Sequence, residues 1–253
     1  MTAYYNEIDP YAAAWLRNLI AAGHIAPGDV DERSIVDVQP DDLRGYTQCH
    51  FFAGIGGWSY ALHLAGWPDN RPVWTGSCPC QPFSVGSVAH GGAKGQGDER
   101  HLWPTFRDLI SERSPATVFG EQVADAIGWG WWDEVALDLE EKSYACAAVV
   151  LPANAVGARH RRKRLFWMAD ASGEGRKGYQ PLERLPVAAE TAFSFDGNPL
   201  AGAGRALDGD YSDLLPCDGL SVAVERLAAK GYGNAIVPQA AAEVIGAYME
   251  IAA

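Results

Sequence analysis

Cys80 is the most reactive group the chain advertises. It lies in Ser77-Cys78-Pro79-Cys80-Gln81-Pro82-Phe83-Ser84, directly after the short apolar run Val73–Gly76. A proline-fixed turn at a strand end presents a side chain rigidly and outward, which suits a nucleophile. Arginines or a helix N-terminus close by would favour its thiolate. The competing reading is a buried cysteine serving as a small apolar side chain. Cys78 and Cys80 also have the look of half a metal site, but no second ligand pair at finger-like spacing follows. A carboxyl group comes next. Glu121 closes the apolar run Ala116–Phe119, where burial without a partner is costly and raises a carboxyl pKa. Such an acid can hold a ring nitrogen protonated while a nucleophile attacks; the plainer reading is a satisfied structural glutamate. Arg162 and Arg164, two apart on extended chain before Leu-Phe-Trp-Met-Ala, share a face and can reach a carbonyl or a phosphate. The alternative for either one is a surface charge.

These groups need elements to hold them. The run Cys49–Ala53 reads as a buried strand that passes through Gly54, Gly56 and Gly57 into a helix ending at Gly66. Strand, glycine turn and helix let backbone approach a ligand closely, though such a turn also serves plain packing. The spacing matches neither a dinucleotide fingerprint nor a phosphate loop. Further strands are expected at Val73–Gly76, Ala116–Phe119, Ala145–Leu151 and Leu165–Ala169, with a short one at Ser34–Val38. Helices are expected at Tyr11–Ala22, Leu102–Glu112, Trp129–Tyr144, Val222–Ala229 and after Gly233-Asn234-Ala235-Ile236-Val237-Pro238-Gln239. Residues 86–97 read as an irregular, glycine-rich active-site loop. Alternating strands and helices predict a mostly parallel α/β sheet with ligands at the carboxyl ends of its strands.

Composition narrows the partners. The chain has 253 residues, 48% of them hydrophobic and 21% charged, enough for one α/β domain with a small appendage. Five scattered cysteines argue for free thiols in a reducing compartment rather than a disulfide framework. No apolar run is long enough to span a bilayer and the N-terminus is not signal-like, so the expectation is a cytoplasmic protein with no membrane partner. A net charge of -12 counts against a protein that coats nucleic acid nonspecifically. Any contact with DNA must be local, and the basic block Arg159-His160-Arg161-Arg162-Lys163-Arg164 is where it would fall.

In order, Phe52-Ala53-Gly54-Ile55-Gly56-Gly57, Pro79-Cys80-Gln81-Pro82-Phe83-Ser84, a strand ending in Glu121, Arg162-Lys163-Arg164 and the C-terminal Gly-Asn-Ala-Ile-Val-Pro-Gln resemble the motifs of DNA cytosine-5 methyltransferases of a compact phage or prokaryotic type. The resemblance runs over most of Cys49–Ile251 and implies a Rossmann-like methyltransferase sheet, shortened, with a small target-recognition subdomain. It implies residues 1–45 as an N-terminal helix and acidic segment, 46–170 as the catalytic core, 171–220 as the recognition region, and 221–253 as helices returning to the core.

By the same resemblance Cys80 adds to C6 of a flipped cytosine in DNA, Glu121 grips N3 and the amine, and Arg164 holds the carbonyl. Arg162 serves that carbonyl or the neighbouring phosphate. Pro79, Gln81, Ser84, Gln122, Val123 and His160 would line the substrate side. Phe52, Ala53, Gly54, Ile55, Gly56, Gly57 and Asn234 would contact S-adenosylmethionine. The oligomeric state is not implied.

Four departures stand out. Gln122 replaces the family's Asn, His160 its Gln, and His50 the Asp before the first motif, which alters how a cofactor amine is met. Only residues 58–78 separate Gly57 from Pro79, where the family carries two further strand and helix units holding the adenosine. One repair brings in an acid from residues 1–45, with Asp29, Asp31, Glu32 or Asp37 as candidates. Another changes the donor to a folate-borne or aldehyde-level carbon, giving hydroxymethylcytosine, or leaves no donor and a deamination. A third reading is a cofactor-less DNA-binding relative.

Overall fold

The computed structural model describes residues 2–79, 101–158, 161–171 and 235–252. Seven strands form one sheet in the order β2-β1-β3-β4-β5-β7-β6. They are β1 Thr2–Asn6, β2 Gly28–Asp31, β3 Tyr46–Phe51, β4 Val73–Gly76, β5 Thr117–Val123, β6 Ala145–Pro152 and β7 Lys163–Asp170. All neighbouring pairs from β2 to β5 are parallel, while β7 runs antiparallel to both β5 and β6. The expected mostly parallel α/β sheet is present. Its helices are α1 Pro10–Ala21, α2 Gly57–Leu64, α3 Trp103–Arg113, α4 Trp131–Glu140 and α5 Pro238–Ile251. No helix among the described residues is long and apolar enough to cross a membrane.

The period of two along each strand decides which helix lies on which face. On one face Tyr4, Phe51, Trp74 and Val118 meet Phe106, Leu109 and Ile110 of α3 and Trp131, Val135 and Leu139 of α4. Ile35, Val38 and Leu43, from the link between β2 and β3, pack on that face as well. On the other, Val73, Phe119 and Phe166 meet Trp58, Ala61 and Leu62 of α2 and Ala240, Ala241 and Ile245 of α5. α1 shares this second face: Leu16 packs with Ala3 and Tyr5, and the Tyr5 hydroxyl lies 3.0 Å from Ser59 Oγ on α2.

The strand expected at Ser34–Val38 is a 3-10 turn, Ile35–Asp37, capped by Ser34. Its apolar residues reach the core through the turn, which mimics a short strand in pattern. Strands β1 and β2 were not foreseen. Tyr4-Tyr5 lacks visible alternation because both faces of β1 are covered, and Gly28-Asp29-Val30-Asp31 reads as a turn. Gly28 is required there, since a Cβ would stand 1.9 Å from the Ala3 carbonyl oxygen of the adjoining strand. The remaining elements fall within a few residues of expectation, apart from the helix of 222–229, which lies outside the described residues, as do most of 171–220 and the loop 86–97.

Candidate active site

Glu121 and the chain leading to Cys80 are brought together by β4 and β5. These strands pair in parallel, with Gly76 opposite Gly120, so Ser77 and Glu121 each stand one residue beyond the last pair. The side chain of Ser77 hydrogen-bonds Glu121 and accepts from Trp58 Nε1 at 2.9 Å. Gln122 is buried and donates through Nε2 to the Cys78 carbonyl at 3.4 Å, while its Oε1 accepts from the Val123 N–H at 2.9 Å. The segment that ends at Pro79 is therefore anchored on β5 before it reaches Cys80. Ser77 was not among the expected site residues; its position next to the Cys-Pro-Cys turn was the available signal.

The antiparallel pairing of β5 with β7 sets Arg164 opposite Val123 and Phe166 opposite Glu121. From that diagonal position Arg164 Nε reaches Glu121 Oε1 at 2.6 Å. Glu121 is enclosed, and burial raises its carboxyl pKa; the charges of Arg164 and Arg162 and the bonds from Ser77 and Arg164 oppose that without cancelling it. A carboxyl held this way gains from taking a proton, and its arginine neighbours carry donors suited to a carbonyl or phosphate. Cys78 is a different kind of thiol. It is fully enclosed, and burial pushes its pKa far up, which disfavours its thiolate. Cys80, Gln81, Ser84, His160 and Asn234 lie outside the described residues.

A second group gathers at the end of β3. Phe52 takes a left-handed φ of 53°, uncommon for a residue with a Cβ, and Gly54 and Gly56 follow at 55° and 82°. Gly56 is the N-cap of α2. Gly57 is needed for another reason, because a Cβ there would stand 2.8 Å from Ile236 Cγ1. That contact brings the C-terminal Ile-Val-Pro segment against the glycine turn. Ala53 is buried, and Ile55 is half-buried. Among the described residues a Cβ on Gly54 would meet nothing within 4 Å, whereas one on Gly56 would stand 3.3 Å from the side chains of Leu16, Leu19 and Ile25.

His50 does not face that space. It is buried against Tyr5, with ring centroids 4.9 Å apart, and its Nδ1 lies 2.8 Å from Thr75 Oγ1. Burial pushes its pKa down to about 3. The expectation that His50 alters the meeting with a cofactor amine is thus corrected: period-two alternation turns it into the α1 and α2 face. Three of the candidate replacement acids are already engaged. Asp31 binds Arg33 at 2.7 Å and accepts from Tyr4 OH at 2.7 Å, Glu32 pairs with Arg17 at 2.7 Å, and Asp29 accepts from Tyr46 OH at 2.9 Å.

Residues 68–183 match the family model for C-5 cytosine-specific DNA methylase. The segment includes the Cys-Pro-Cys turn, Glu121 and both arginines, and over it the chain is similar to the C-5 cytosine-specific DNA methylases. Among curated proteins, the type II methyltransferase M.AplI of Arthrospira platensis is 32% identical over 40% of this chain and 29% of its own length. The type II methyltransferase M.CviJI of Paramecium bursaria Chlorella virus IL3A is 28% identical over 52% of this chain and 34% of its own. The matches thus span about a third of the length of either relative. Among solved structures, Spodoptera frugiperda DNMT2 covers 71% of this chain and 45% of its own at 15% identity and a TM-score of 0.46. The Entamoeba histolytica methyltransferase EhMeth covers 71% and 56% at 13% and 0.42.

Proposed function

We propose that this protein methylates C5 of cytosine in DNA, with S-adenosylmethionine as donor and Cys80 as the covalent nucleophile. The observation that carries this reading is the buried Glu121–Arg164 pair, closed over by Ser77 at the root of the Cys80 turn. A thiolate adds to C6 only if the ring accepts the displaced electrons. Glu121, whose burial raises its carboxyl pKa, supplies a proton at N3 as the Cys80 sulfur–C6 bond forms and the 5,6 double-bond pair moves to C5. Arg164, with Arg162 beside it, holds the carbonyl oxygen and orients the ring. The target base has to leave the stack, since C6 is attacked from above the ring plane.

S-adenosylmethionine supplies an electrophilic methyl group. The described residues fit it: the chain takes a left-handed turn at Phe52, Gly54 and Gly56 at the carboxyl end of β3, no described atom lies within 4 Å of a Cβ at Gly54, and Ile236 packs against Gly57. Once C5 carries the methyl group, with S-adenosylhomocysteine as the leaving group, solvent water takes the C5 proton, the Cys80 thiolate departs from C6 to restore the double bond, and N3 returns its proton to Glu121. The basic block Arg159–Arg164 is the contact with the phosphate backbone, which suits an otherwise acidic chain. Residues 171–220 serve as target recognition, and the cytoplasm of a prokaryote or infected host is the expected place of action. A role in restriction–modification fits the type II methyltransferases among its relatives.

The test is to incubate the protein with cytosine-containing DNA with and without S-adenosylmethionine, digest to nucleosides and weigh the products. 5-Methylcytosine formed only with the donor, and lost in Cys80→Ala, is the expected result. Hydroxymethylcytosine or uracil would replace this reading with a different outcome of the same attack. No new nucleoside, with DNA binding unchanged in Cys80→Ala, would leave only a binding protein.

A further inference from the structure

The connection between β3 and β4 has the wrong hand. A parallel β–crossover–β unit is right-handed in about 98% of cases. The hand follows from two facts: the face on which the crossover lies and the direction in which the chain moves along the sheet. Three crossovers lie on the α3 face and move toward the β6 edge: β2 to β3 through Ile35, Val38 and Leu43, β4 to β5 through α3, and β5 to β6 through α4. The β1 to β2 crossover through α1 lies on the opposite face and moves the opposite way, so it shares their hand. α2 lies on the same face as α1, yet the chain moves from β3 toward β4, away from β2. It alone among these five has the opposite hand.

A crossover of unfavoured hand is what remains when a helix keeps its place on the sheet but its chain connection is rerouted. In the direction of the common hand, the strand that should follow α2 is the neighbour of β3 on the other side, and that neighbour is β1. The strand after it is β2. β1–α1–β2 thus fills, in space, the positions of the two units that the sequence lacks between Gly57 and Pro79.

The end of β1 has a matching feature. Glu7 stands one residue beyond the strand, and its N–H still bonds the Asp31 carbonyl at 3.0 Å. Its carboxylate bridges two chain segments: Oε2 accepts from Gly54 N at 2.7 Å, within the glycine turn, and Oε1 accepts from Asp9 N at 2.8 Å. Ile8, the next residue, is 64% exposed. Each carboxylate oxygen has a second acceptor position, so a group bound at both its oxygens by backbone keeps two acceptors side by side in fixed orientation. Two adjacent O–H donors, as on a vicinal diol, complement that pair, and an exposed Ile8 offers an apolar surface to a flat ring attached to the diol's sugar.

We infer that the N-terminal β1–α1–β2 unit is the displaced adenosine-binding half of the cofactor site, moved ahead of the glycine motif in chain order, with Glu7 receiving the ribose 2′ and 3′ hydroxyls and Ile8 lying against the base. The inference rests on the S-adenosylmethionine reading above. It replaces Asp29, Asp31, Glu32 and Asp37 as the source of the acid.

The experiment compares binding of S-adenosylhomocysteine and its 2′,3′-dideoxy analogue to the whole protein by calorimetry. The wild type is expected to bind the diol form tighter by about 10- to 100-fold, the scale of hydrogen bonds to a charged group. Glu7→Gln should bind the two alike, at the weaker level. Glu7→Asp keeps the charge with a shorter reach and serves as the second variant, also expected to lose discrimination. A Glu7 that only braces the turn would lower both affinities together and keep their ratio; that result, or a wild type indifferent to the diol, overturns the assignment while the cofactor reading stands. If the wild type binds neither ligand, the cofactor reading falls and this assignment with it.

Discussion

Glu121 and Glu7 both stand on the carboxyl edge of one parallel sheet, each a single residue beyond its last pair with a parallel neighbour or beyond its strand, yet their surroundings are opposite. Glu121 is walled in by β4, β7 and Ser77 and faces arginine side chains. Glu7 is half-exposed and faces backbone N–H groups. An enclosed carboxyl with arginines is tuned to exchange a proton; an open carboxylate braced by backbone is suited to accept hydrogen bonds without changing its protonation. On the reading proposed above, the two halves of the sheet divide the work: reaction at β4, β5 and β7, and donor binding at β3, β1 and β2.

That division can be broken. The largest expected effect is Glu121→Gln, which should lower methylation by about 10²- to 10⁴-fold while leaving S-adenosylhomocysteine affinity unchanged, a separation Glu7→Gln should reverse in kind. Because the folded-state pKa of Glu121 is raised above its ordinary value of 4.5, the charged form is disfavoured in the fold and the associated stability is lost as pH rises. Glu121→Gln should therefore melt no lower than the wild type at pH 8. A melting temperature several degrees lower would mean that the Arg164 ion pair outweighs burial.

Next in size is Gly120→Ala. A Cβ there would stand 2.1 Å from the Trp167 ring across the β5–β7 pair, so overpacking should cost about 3 kcal/mol, read as a lowered denaturation midpoint. Loss of activity without loss of stability would show that the reacting half is less tightly packed than the geometry requires. His50 tests the other half. Its folded pKa of about 3 lies below the ordinary 6.5, so the unfolded chain binds a proton that the folded one refuses; stability should fall as pH drops from about 6.5 toward 3. His50→Leu should flatten that part of the stability–pH curve, and an unchanged curve would move the acid sensitivity elsewhere. The smallest effect is Gly54→Ala. The position has a φ of 55° with open space around it, so the cost is backbone strain of about 1 kcal/mol, together with weaker cofactor binding.

The half proposed to carry the reaction was the easier to propose from sequence, because its candidate groups follow one another along the chain. Cys80, Glu121, Arg162 and Arg164 each close or open an apolar run, and β4 was anticipated to the residue at Val73–Gly76. Even here the sequence concealed that Arg164 meets Glu121 diagonally across an antiparallel pair and that Ser77 completes the group. The donor half was illegible for a different reason. β1 is covered on both faces and has no alternation to read, and β2 is a four-residue strand of glycine and acids. Charge made Asp29, Asp31, Glu32 and Asp37 conspicuous, but charge does not tell which carboxylates are already engaged with Arg33, Arg17 or tyrosine hydroxyls.

By itself the sequence determined the class of sheet, the glycine turn and the similarity of residues 68–183 to the C-5 cytosine-specific DNA methylases. These are local: each depends on residue types within one strand or turn. Only the tertiary structure decided which strand lies beside which. Strand order in a parallel sheet is set by contacts between segments far apart in the chain, and β1 pairs with β3 across some forty intervening residues. That pairing puts Glu7 against Gly54, and it turns an apparent gap after Gly57 into a question of order along the chain.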